Sequence, residues 1–66
     1  MNTNLLRYYM AEAGYKVGDM GAVLGVTDAT YSNKINGKTE FTVSEASRLA
    51  KLLNLDAETA VKVFFD

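Results

Sequence analysis

Residues 17–38 read VGDMGAVLGVTDATYSNKINGK, and the reading of this stretch decides the fold. Val17, Met20, Gly21 and Leu24 fall at the spacing of one helical face. Gly25 breaks the pattern, and a glycine there lets the chain take a positive φ at no steric cost. Thr27 is a good N-cap for a following helix, with Asp28 near its positive end. That helix is predicted over about Asp28 to Asn36. Tyr31 and Ile35 are its inward residues, with the Lys34 stem laid along apolar surface. Asn36 and Gly37 stop it. Gly18 and Gly21 each cost roughly 1 kcal/mol relative to Ala inside a helix. The helix from about Val17 to Leu24 must therefore be held by packing, and Gly21 lets its neighbour come close to the backbone.

Working outward, a first helix is predicted from about Asn4 to Ala13. Leu6, Tyr9, Met10 and Ala13 share one face, and Gly14 follows as a stop. Downstream, Thr42 and Glu45 form a T-x-x-E capping box, with Phe41 placed to staple onto Ala46. Val43, Ala46, Leu49, Ala50 and Leu53 then give an amphipathic face that Asn54 ends. Asp56 caps a fifth helix from about Ala57 to Phe65, with Ala57, Ala60, Val61, Phe64 and Phe65 as its apolar residues. No run alternates apolar and polar residues at period two. The expected class is all-α, a compact five-helix fold, with residues 1–66 as a single domain.

Composition narrows the chemistry. The 66 residues include no His, Cys, Pro or Trp, so no thiolate nucleophile, imidazole base or Cys/His zinc site can be built. Glu12, Asp19, Glu40 and Glu45 are scattered, and no acid/base pair follows from their spacing. Neither enzyme activity nor a metal or cofactor is expected. Hydrophobic content of 48% against 23% charged residues reads as a folded chain. The net charge of −1 excludes an argument for nucleic-acid binding from bulk basicity. Residues 27–38 hold Asp28, Lys34 and Lys38, a balance of +1 (two cations less one anion). Met1 to Asn4 is polar and no signal-type apolar segment follows. No run approaches the ~20 apolar residues that span a bilayer. A cytoplasmic protein with no membrane role is expected.

Two short helices joined by a glycine turn are the layout of a helix-turn-helix. Over nearly its whole length the sequence resembles the phage repressor Cro/CI-type, or XRE-type, helix-turn-helix family, whose fold is lambda-repressor-like. The resemblance rests on Ala13-Gly14-Tyr15, on Leu24-Gly25-Val26-Thr27, on the run from Tyr31 to Lys38, and on Phe41-Thr42-Val43-Ser44-Glu45. It implies a compact five-helix domain that binds double-stranded operator DNA as a two-fold dimer. It also implies that Thr27, Asp28, Ala29 and Asn33 face the bases. Asn33 suits adenine, Asp28 the cytosine amine and Ala29 a thymine methyl. Ser32, Asn36 and Lys38 are then expected at phosphates, with Lys16 and Lys34 as further phosphate contacts. The sequence departs from the family in three ways. Val17 stands where a Gln is common, Gly21 replaces a usual Ala, and Asp19 and Asp28 add negative charge.

Tyr9 and Tyr31 sit at core spacing, which leaves Tyr8 or Tyr15 exposed. Adjacent Phe64 and Phe65 point about 100° apart on a helix, so one faces outward. This pair is the expected dimer or partner contact. The first functional expectation is a sequence-specific transcriptional regulator of phage or mobile-element type, a weak homodimer with its third helix in the major groove. A second reading stays open beside it: a protein-binding modulator or antirepressor that acts on a partner repressor through the same scaffold.

Overall fold

The computed structural model describes residues 1–65. Five helices follow in order: α1 (Thr3–Ala13), α2 (Val17–Leu24), α3 (Asp28–Ile35), α4 (Val43–Leu52) and α5 (Ala57–Phe64). Among the described residues there is no strand. α2 packs on α3 and α4, and α5 closes the molecule against α1 and α4. Every helix contributes to one core. Leu6, Met20, Tyr31, Ile35, Leu49 and Val63 are fully enclosed, and Met10, Leu24, Ala46, Leu53 and Phe64 complete it.

Local chemistry sets the helix ends. Asn2, Thr27, Thr42 and Asp56 each accept a backbone N–H of the first turn through a side-chain oxygen. At α4 the box is reciprocal: Glu45 N donates to Thr42 Oγ1 and Thr42 N donates to Glu45 Oε1. Asn2 N also donates to Val63 O at 2.8 Å, which ties the start of the chain to α5. Between α2 and α3, Gly25 takes φ 72°, and Val26 N returns to Gly21 O. A Cβ on Gly21 would stand 3.1 Å from Val26 O. The absent side chain is what allows the turn to fold down onto α2.

Several expectations shift. α1 begins one residue earlier than predicted, because Asn2 supplies a cap. α3 ends at Ile35 and α5 at Phe64. Ala13 and Ala57, expected on apolar faces, are exposed. Val43 was expected inward on α4, yet it is 73% exposed. It lies on the side of Ala46 and Ala50, but at the rim, where it lines an open α4–α5 groove with Leu55 and Ala57. On α5, Val61, expected among its apolar residues, is exposed, while Val63 is enclosed with Phe64. Its apolar residues form one broad arc with Val61 and Val63 at opposite edges and Ala60 and Phe64 between them, so periodicity alone does not choose which edge is covered. Docking against α1 and α4 does.

Phe41 stands between Tyr31 and Phe64, with ring centroids 5.9 and 5.8 Å away. It is half-buried against the core and lines a surface cavity with Ala46. Among the described residues, Tyr31 is the one buried residue with a polar tip. Its hydroxyl donates to Met10 Sδ at 3.2 Å, and burial pushes the phenol up to about 12.

Gly18 and Gly25 give a paired test. A methyl at Gly18 meets only the Asp28 carboxylate, at an ordinary 3.6 Å. Gly18→Ala is expected to raise stability by about 0.5 kcal/mol through helix propensity. Gly25→Ala has open space but the wrong φ, and is expected to cost about 1 kcal/mol. Urea midpoints that move in opposite directions check the pair. A shift of the same sign for both contradicts it.

Candidate nucleic-acid interface

α3 is held by Tyr31 and Ile35 on its inner side, so its outer side is fixed as well. Asp28, Ala29, Thr30 and Asn33 are all exposed there, and Asn36, Gly37 and Lys38 extend the exposed surface past the helix end. Of the residues expected at bases, Asn33 is the freest. Its carbonyl accepts from Lys38 N and Thr39 N, while its amide makes no hydrogen bond within the described residues. Ala29 lies one turn before it on the same face. Thr27 is exposed, but its hydroxyl is engaged locally: it accepts from Thr30 N and donates to Thr30 Oγ1.

Asp28 is exposed but turned toward α2. Its carboxylate oxygens lie 3.6 Å from where a Cβ on Gly18 would be, and Oδ1 lies 3.6 Å from that of Gly21. The two glycines thus leave a notch that receives the acid. Asp19 is also taken up locally, since Lys16 N donates to its Oδ2 at 2.9 Å across the start of α2. A carboxylate there sits at the positive end of the helix.

The expected phosphate contacts divide. Lys16 and Lys38 are exposed, and Ser32 is half-buried. Asn36 is exposed, with Oδ1 accepting from Arg7 Nη2 at 2.9 Å. Lys34 is not free at the surface. Its ammonium donates to Glu45 Oε1 at 3.0 Å and to Glu40 O at 3.2 Å, and lies 5.9 Å from the centre of the Phe41 ring. The physical reason is position. Lys34 follows Asn33 on α3 and points along the α3–α4 junction, where the Glu45 carboxylate is already fixed by the capping box. Phe64 likewise corrects an expectation. It is a core residue against Phe41, so only Phe65, 58% exposed, is offered at the surface for a dimer or partner contact.

Sequence reasoning passed over Arg7 and Glu45 as parts of this region. Arg7 meets Asn36 across 29 positions of chain and Lys34 meets Glu45 across 11. No local spacing signals either contact. Among the described residues no cluster of acidic side chains is arranged to hold a metal, and no helix is long and apolar enough to cross a membrane.

The sequence model of the helix-turn-helix family matches residues 6–59. The chain belongs to that family, of XRE-type or Cro/CI-like kind, a family of DNA-binding regulators. The comparisons with curated proteins and with solved structures return no match.

The Lys34–Glu45 pair has a measurable signature. Glu45 is held below the ordinary carboxylate range, first by the Thr42 backbone N–H and then by Lys34. Its pKa is lower folded than unfolded, so the unfolded chain takes up the proton first as pH falls. The contribution is whole above about pH 4.5 and is lost as pH drops through the lowered folded value. Glu45→Gln is expected to cost about 0.5–1 kcal/mol at neutral pH. Urea midpoints measured from neutral to acid pH should show the two proteins converging on the acid side. A gap that stays constant with pH contradicts the assignment.

Proposed function

We propose that this protein is a sequence-specific transcriptional regulator of phage or mobile-element type. It binds a short palindromic operator as a weak homodimer, with α3 in the major groove. Regulation is steric: a protein seated on the operator blocks polymerase. The observation that carries this reading is the exposed Asn33 amide, without a hydrogen bond in the described residues, on the outward side of α3. Membership of the helix-turn-helix family supports it. An Asn on this face can pair bidentately with adenine, and Ala29 one turn earlier suits a thymine methyl. Lys16, Lys38 and Asn36 flank the helix as phosphate contacts, and Ser32 adds a hydroxyl. Lys34, paired with Glu45, adds no free charge to this side. Phe65, beside the α4–α5 groove, is the dimer contact.

One observation favours a second reading, a modulator that binds a partner repressor. The Asp28 carboxylate is exposed at the start of α3, where it repels phosphate. Selection of duplexes from a random DNA pool, followed by titration at several salt concentrations, separates the two. The regulator is expected to enrich a two-fold sequence and to lose affinity steeply with salt. Asn33→Ala should cost about 1–3 kcal/mol on that sequence and relax preference at one base pair. Lys38→Ala should weaken all sequences alike and lower the salt slope by about 1. No enrichment, or an equal loss on every sequence for Asn33→Ala, overturns the reading in favour of a protein partner.

A further inference from the structure

α1 lies far from α3 in sequence, yet it grips the end of α3 at two points. Thr3 Oγ1 donates to Ile35 O at 2.9 Å, and Arg7 Nη2 donates to Asn36 Oδ1 at 2.9 Å. Thr3 and Arg7 are four residues apart, so they stack on one side of α1. The first contact satisfies a carbonyl that the α3 ladder leaves open. The second acts on a side chain that would otherwise turn freely in solvent.

An Asn amide has two different ends, one accepting and one donating. A phosphodiester oxygen only accepts. Asn36 serves it only when the NH2 end points outward. Arg7 decides which end does so. A guanidinium carries donors alone, so it takes Oδ1 and would oppose Nδ2 if the amide were reversed. The remaining donors of Asn36 are then aimed away from Arg7. The Arg7 charge is further favoured where it stands, at the negative end of the α3 dipole.

We infer that Arg7 is a positioning residue for DNA binding: by holding Asn36 Oδ1 it presents the Asn36 NH2 to a backbone phosphate beside the reading helix. The inference rests on the regulator reading above and extends it to a residue on α1. It makes Arg7 act through Asn36, not as one more isolated positive charge.

The test is a double-mutant cycle on the selected duplex, with Arg7→Ala, Asn36→Ala and the pair. It is run at high salt, where the long-range effect of removing a charge is screened. Urea denaturation of each variant checks that the fold is retained, and affinities are compared at temperatures where all are fully folded. Each single variant is expected to weaken binding by about three- to tenfold, and the double variant to be no weaker than the worse single one. A merely structural or merely electrostatic Arg7 would give losses that multiply. Multiplying losses, or an Arg7→Ala variant that binds like wild type, overturn the inference and leave the DNA reading standing. A folded wild-type protein that binds no duplex overturns both.

Discussion

Burial of Tyr31 fixes how α3 is turned about its own axis. The ring is enclosed, packs on Phe41, and reaches with its hydroxyl to Met10 on α1. With Ile35 one turn on, it commits one stripe of a two-turn helix to the core. The opposite stripe is then forced outward. Ala29 and Asn33 are presented because Tyr31 is not. A helix of eight residues has little stability of its own, so this anchoring is also what keeps it helical. The outward face of α3 and the core are therefore two sides of one packing decision.

The glycines of α2 extend that decision to the approach of the two helices. Gly21 admits the Val26 carbonyl at a distance a side chain would crowd, and Gly25 turns the chain. Gly18 and Gly21 also leave room for the Asp28 carboxylate. Charge follows the same local logic. Asp19, Glu45 and Asp56 each accept a backbone N–H at a helix start, and Lys34 is spent against Glu45. A count of charges along the sequence thus misjudges the outward field of α3. The cation nearest its middle is neutralised, while Lys38 beyond its end is exposed.

The fold was largely legible because its signals are local. Caps at Thr27, Thr42 and Asp56, the turn at Gly25 and the inward pair Tyr31 and Ile35 each follow from residues a few positions apart. The misjudged positions share a cause. Val43 has the right phase but lies past the edge of what α5 covers. Val61 and Val63 lie at opposite edges of the apolar arc of α5, and phase does not decide which edge the core covers. Phe64 and Phe65 illustrate both limits: geometry requires that they diverge, but only the docked α5 determines that Phe64 is the one enclosed. For the candidate interface, the outward stripe of α3 could be read from its inward stripe. The partners of Lys34 and Asn36 could not, since both are set by helices that meet only in the folded chain.

A domain of this size has a thin margin of buried surface. It cannot hold α3 by bulk alone, and it has no disulfide to help. What it has are long-range polar ties at the ends of elements: Asn2 to Val63, Thr3 to Ile35, Arg7 to Asn36, Lys34 to Glu45. Two of these four end at the last turn of α3 or the residue after it, and a third ends at Lys34 within that turn. The helix is pinned at its C-terminal end by polar ties from both α1 and α4, while its start rests on its own cap, the turn and its packing against α2. That asymmetry favours precision where Asn33 and Asn36 lie. It leaves the Thr27–Asp28 end governed by the shape of the glycine notch.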